Sequence, residues 1–176
     1  MGPLHAAIVH IPIGLLVVYS LIEFGLVFFP SYREKLNAGK YLMLVIGVLG
    51  ALLAFSSGDS LEETRRFNRA LVELHATFAG ATIWVYAILA GAFSIQFLEK
   101  LPKVVALAQS NFFVQKILKI LSPIVGIITK QPILVLLSIL GAILLSFTGA
   151  LGGAIAHGPD ADIITSFVYS LFFNNS

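Results

Sequence analysis

Four stretches of the chain are apolar, and almost free of charge, for long enough to cross a bilayer. A helix crossing the roughly 30 Å of hydrocarbon needs about 20 residues, with ~17 a practical minimum. The first stretch runs over 12–29, with an earlier start at Pro3 also open, and is closed by Pro30; Pro12 suits a first helical turn and would kink the helix if it lay inside. The second covers 41–57, before Gly58 and Asp59, and the third 75–98. The fourth covers 132–156 and is stopped by Gly158 and Pro159. Two further segments mix apolar and charged positions at helical spacing. In "SLEETRRFNRALVELH", Ser60 and Glu63 have capping-box spacing, and Glu62/Arg66 and Arg69/Glu73 are four apart, which predicts a surface helix over 60–74 leading into the third span. Over 104–129, Lys116 and Lys119 sit among Phe112, Phe113, Ile117 and Ile120, which predicts an amphipathic helix in the membrane interface, broken by Pro123 and Gly126. The apolar tail 163–173 is too short to span. The expected fold is an all-α integral membrane protein: a single membrane domain over 1–176, built as a four-transmembrane-helix bundle with amphipathic interfacial helices.

Composition agrees. Of 176 residues, 58% are hydrophobic and 11% charged, against about a quarter charged in soluble domains. The absence of cysteine excludes disulfides, thiolate metal sites, iron–sulfur ligation and covalent c-type haem. A net charge of +2 gives no support to nucleic-acid binding. No Lys or Arg precedes the first apolar run, so it is not expected to be a cleaved signal peptide, and position 6 lacks the Ser or Thr of a myristoylation signal. Eight basic residues, Arg33, Lys35 and Lys40 with Lys100, Lys103, Lys116, Lys119 and Lys130, flank one side of the four spans. The positive-inside rule makes that side cytoplasmic, which places a multi-pass protein in the cytoplasmic membrane with both termini outside.

With that topology every histidine falls on the outer side: His5 and His10 at the start of the first span, His75 at the start of the third, His157 at the end of the fourth. Bundles build cofactor sites from side chains on facing helices, and haem iron takes histidine axially without cysteine. The reading favoured is a cytochrome b-like haem protein that transfers electrons rather than a catalyst. His10, His75 and His157 are its metal ligands, and His5 is a further ligand or an orienting group. Gly149, Gly152 and Gly153, with Gly80 across from them, offer room for a porphyrin, and Arg65, Arg66 and Arg69 are placed to pair with propionates. Two alternatives stay open. The same histidines, with Glu73, Asp160 or Asp59, suit copper, zinc or iron without porphyrin, and a cofactor-free structural or assembly subunit would use them on lipid headgroups or a partner. The partners these readings admit are the lipid bilayer, a quinol or extracytoplasmic redox protein, and further copies of the chain. The spacing Gly149-x-x-x-Gly153 is equally a helix-contact pattern.

Glu23 lies about eleven residues into the first span, where a carboxylate is expensive and usually functional. It has either a proton or charge-compensating role or a structural pair toward Lys40 or Gln96. At some 20 Å along the helix from His10, it shares no metal with it.

The stretch "LHAAIVHIPIGLLVVYSLIEF" resembles the opening of a family of small four-span prokaryotic membrane proteins of unsettled function, whose first helix begins His-Pro-x-x-Val-His-Phe-Pro-Ile and carries an acid further on. The similarity extends to "SSGD", to His75 and to "TGALGGAIAHG"; Ala6 stands where the pattern has Pro and Ile11 where it has Phe. The resemblance implies four spans and a haem-binding or redox role.

Overall fold

The structure is a computed structural model that describes residues 2–62 and 68–173, with side chains described for 8–57 and 68–173. Among the described residues there is no strand. Four long helices dominate: α1 (Gly2–Phe28), α2 (Arg33–Glu62), α3 (Arg69–Leu98) and α6 (Gln131–His157). Each is long and apolar enough to cross a membrane. Among the described residues there are also a 3-10 turn (Pro30–Tyr32) and the shorter helices α4 (Pro102–Ser110), α5 (Phe112–Ile128) and α7 (Ile163–Phe173).

The long helices pack in a ring, α1 on α2, α2 on α3, α3 on α6 and α6 on α1. Their direction is read from side-chain partners. Going from Glu23 back to Leu16 and Pro12 on α1, the facing positions on α2 advance from Lys40 to Gly47 and Gly50, so the two helices are antiparallel. His75, Thr82 and Tyr86 on α3 meet Thr148, Thr148 and Gly141 on α6, again antiparallel. Tyr86 reaches across the ring to Ser20 and the Leu16 carbonyl, and further along both helices Lys40 joins Glu23 to Phe93, so α1 runs parallel to α3.

Two glycines permit these contacts. A Cβ on Gly141 would stand 2.7 Å from Tyr86 Cζ, and one on Gly47 2.6 Å from Leu16 Cδ2. Small residues let helix backbones approach in this way where no hydrophobic drive separates protein from lipid. Leu16, Tyr19, Leu44, Tyr86 and Leu89 fill the core they enclose. A second cluster, Leu71, Leu151, Ala154 and Val168, joins α7 to α3 and α6.

The segment between α3 and α6 departs from expectation. The predicted helix 104–129 is two helices bent by 117°. The break is at Asn111, whose carboxamide accepts from the backbone N–H groups of Phe113 and Val114 and caps α5. Pro123, expected to end the helix, lies inside α5. Gln96 Nε2, near the end of α3, donates to Thr129 Oγ1 at 2.7 Å just before α6 begins. The segment 99–130 therefore starts and finishes at the same end of the ring.

Three other expectations need correction. Ser60 does not start a helix, because α2 continues through it to Glu62; Glu63 and Arg66 lie outside the described residues. The cap of α3 is Asn68, which accepts from Ala70 and Leu71, and of the expected pairs Arg69–Glu73 forms at 2.8 Å. The first-turn position for Pro12 does not hold: α1 takes the earlier of the two starts considered, and Pro12 lies well inside it, packed beside Gly50. The expected stops hold: α1 ends at Phe28 ahead of Pro30, and Gly158 closes α6 with φ 99°, a left-handed value that favours glycine.

Gly141→Ala should destabilise the protein by about 1–3 kcal/mol through the clash with Tyr86. Gly149→Ala, whose Cβ would meet nothing within 4 Å, should be neutral or stabilising by up to about 1 kcal/mol, the helical preference of alanine. Thermal unfolding in one detergent compares the two.

Candidate functional site

The ring places all four histidine positions at one end. His75 is the best fixed of them. It is half-buried, and its Nδ1 lies 3.0 Å from the backbone carbonyl of Thr148 on α6. A carbonyl only accepts, so Nδ1 carries a proton and donates. The imidazole rests against Gly152, where a Cβ would come within 3.2 Å of Cε1.

Of the histidines whose side chains are described, His10 and His157 do not join it in a three-ligand site. Among the described residues no three His, Asp or Glu side chains are grouped to hold a metal. His157 ends α6, nine residues beyond Thr148, about 13 Å of helical rise, and is exposed. His10 is exposed on α1. The α1–α3 alignment puts His75 level with about residues 5–9 of α1, so depth gives His10 no preference over His5; His5 is in α1, and its side chain lies outside those described. Arg65 and Arg66 are outside the described residues, and Arg69 is exposed and paired with Glu73.

Of the four glycines expected to admit a porphyrin, two are filled by the protein itself and two are not. Gly152 accommodates His75, and a Cβ on Gly153 would stand 3.0 Å from Thr165 Oγ1 of α7. Helix α7 was foreseen as an apolar tail; its seat against α6 was not. Asp162 positions it, accepting from the backbone N–H groups of Ile164 and Thr165 and from the Thr165 hydroxyl at 2.7 Å. Gly80 and Gly149 adjoin open space. Phe78, Phe147 and Phe172 close the neighbouring surface in stacked and edge contacts.

A second unusual constellation lies deeper. Lys40 Nζ donates to Glu23 Oε1 at 2.7 Å, with side chains 3% and 1% exposed. This is the pairing with Lys40; Gln96, the other partner considered for Glu23, bonds Thr129 instead. Arg33, Lys35 and Lys40, expected in a loop, all lie in α2, and of the three Lys40 alone is buried. The ammonium also faces the Phe93 ring at 5.8 Å, a cation–π contact. Next to the pair, the Tyr19 and Tyr86 rings meet edge to face at 6.2 Å. Tyr86 shares a 2.8 Å hydrogen bond with Ser20. Ser138, fully buried, donates to the Leu134 carbonyl. The Tyr19 hydroxyl lies beside Glu23 and Ser138 and has no hydrogen-bond partner among the described residues. The sequence signal for this cluster was the acid at position 23; nothing in the local pattern marked Tyr19, Tyr86 or Ser138.

Comparison of the chain with protein-family models, with curated proteins and with solved structures gives no match. The site therefore stands on its own geometry.

Two predictions follow from these contacts. Glu23→Gln strands a buried ammonium and should cost about 3–5 kcal/mol of stability, whereas Glu23→Gln with Lys40→Met should recover most of it; Tyr19→Phe, which removes an unpartnered buried hydroxyl, should be neutral or stabilising. Thermal unfolding of the variants measures all three. At the other end, the Thr165 and Ile164 donors hold the Asp162 carboxyl below its ordinary value. Its contribution to α7 is thus present at neutral pH, above the unfolded-state value, and is lost as pH falls through the lowered folded-state value. Protease cleavage within 163–173 should accelerate on acidification in the wild type and be fast at all pH values in Asp162→Ala.

Proposed function

We propose that the chain is a multi-pass protein of the cytoplasmic membrane, a four-helix bundle with extracytoplasmic termini, whose histidine-bearing end binds haem b and transfers electrons to or from a quinol or an extracytoplasmic partner. The observation that carries this reading is the bond from His75 Nδ1 to the Thr148 carbonyl. It orients the ring through Nδ1, and a histidine that ligates a metal typically donates its other ring N–H to a carbonyl or carboxylate in this way. A haem needs one or two protein ligands because the porphyrin supplies the rest. That suits a site with no three-residue ligand group among the described residues better than copper, zinc or iron alone. The fit has a boundary: Gly152 and Gly153 are occupied by His75 and Thr165, so the macrocycle has no slot between α6 and those side chains and would lie outside that contact. The similarity of residues 5–13 to the opening motif of the four-span family supports the same reading. When bound, haem supplies a one-electron couple; His75 holds it, and the Thr148 carbonyl orients His75. Glu23 serves this scheme as the neutralising charge for Lys40, well away from the histidine end.

The absorption spectrum and metal content of the purified protein test this. A porphyrin Soret band is expected, lost in His75→Ala, and in Gly152→Val, which displaces the imidazole, haem affinity should fall about tenfold, the scale for a disturbed ligand orientation. Folded protein without porphyrin absorbance would overturn the haem reading, and stoichiometric copper, zinc or iron in its place would favour the non-haem alternative.

A further inference from the structure

Helix α5 has three distinct faces, and they are unequal in chemistry. At about 100° per residue, Val114, Leu118, Leu121 and Val125 fall together on one face, and these are the side chains turned toward the rest of the protein, with Val125 buried. The next sector carries Phe113, Ile117, Ile120 and Ile124, each at least half exposed. The third carries Gln115, Lys116 and Lys119, with Phe112 at its start and Pro123 and Gly126 further along, all exposed. A helix that crossed hydrocarbon beside the ring would put the two lysines into lipid near its middle, at a cost of a few kcal/mol each. A helix lying along the interface satisfies all three faces at once: protein on one side, acyl chains on the second, water and headgroups on the third.

Charge then identifies the headgroups. Residues 99–130 contain five lysines, Lys100, Lys103, Lys116, Lys119 and Lys130, and a single acid, Glu99. Glu99 accepts a hydrogen bond from the Ser122 hydroxyl. Among the described residues none of the five lysines is ion-paired, and all five are exposed. The segment leaves and re-enters the ring at one end, held by Gln96 and Thr129, so the lysines gather at a single bilayer face. An unneutralised lysine cluster beside an apolar helix face matches an anionic phospholipid surface, acyl chains on the isoleucines and phosphates on the ammonium groups.

We infer that α4 and α5 form a binding surface for anionic phospholipids, with Phe113, Ile117, Ile120 and Ile124 seated among acyl chains and Lys116 and Lys119 on the lipid phosphates. This rests on the membrane reading above, and the test separates the two. Trp84 is the only tryptophan and is 72% exposed near the middle of α3, which makes it a reporter of insertion in the unaltered protein. A second reporter is Phe113→Trp in a Trp84→Phe background. Each protein is reconstituted into phosphatidylcholine vesicles containing equal fractions of either brominated phosphatidylcholine or brominated phosphatidylglycerol. Trp84 should be quenched equally by both lipids. Tryptophan at 113 should report an about fivefold preference for the glycerol lipid, the equivalent of about 1 kcal/mol from one lysine near an anionic surface. Adding Lys116→Gln and Lys119→Gln should abolish that preference while Trp84 quenching, followed in the same lysine variant with Trp84 retained, stays unchanged. Equal quenching at 113 by both lipids, or a preference that survives loss of the lysines, would overturn the inference and leave an acidic protein as the better partner for the cluster. Absence of quenching at Trp84 by either lipid would overturn the membrane reading itself.

Discussion

Removing a carboxylate and an ammonium from water costs several kcal/mol apiece, and their contact offsets this only where geometry is held closely. Glu23 and Lys40 meet that condition at 2.7 Å, both buried where α1 meets α2. The pair fixes how far α1 slides against α2, and the Leu16–Gly47 and Pro12–Gly50 contacts follow in the same register. Tyr86 then ties α3 to α1 through Ser20 and seats α6 through Gly141. The order of the four helices can thus be traced outward from one ion pair. This is a specificity argument more than a stability one, since two well-packed apolar residues would often serve stability as well.

The distribution of polarity is the reverse of a soluble bundle. Glu23, Lys40, Ser20, Thr82 and Ser138 are buried, while Leu21, Phe28, Leu53, Trp84 and Leu136 are exposed. On the proposed membrane reading, hydrocarbon around the ring would account for both halves: apolar side chains lose nothing by facing lipid, and polar ones gain partners only inside. The two ends differ in chemistry. One gathers histidines, with His75 oriented by a backbone carbonyl; the other gathers lysines on a helix whose axis turns sharply from its predecessor.

The helices were legible because each is a long apolar run between punctuating residues, and periodicity of that length has few alternative readings. Pairing of Glu23 was legible in kind, since an intramembrane acid demands a partner, and Lys40 was one of two within reach. What failed were boundaries and neighbours. Lys40 and Ser60 read as flanking residues because charge and hydroxyl ordinarily end an apolar run; a long-range partner let α2 continue past the first. Asn111 was overlooked as a cap because Pro123 and Gly126 are the stronger breakers in local terms, although proline near a lipid interface is tolerated where backbone groups find other partners. The glycine-rich end of α6 read as empty space for a ligand, yet glycine is equally the mark of close side-chain approach. Here the approaching groups, His75 and Thr165, come from 77 and 12 residues away in sequence, beyond any local pattern.

The central claim is that the ring of helices spans the bilayer while residues 99–130 return to the face they left, so that the lysine end and the histidine end lie on opposite sides. The chain contains no cysteine, so single substitutions report position without background. With a membrane-impermeant maleimide on intact cells, Asp160→Cys should be labelled, and Glu34→Cys and Ser110→Cys should be labelled only after the membrane is opened. Labelling of Ser110→Cys and Asp160→Cys from the same side would contradict it.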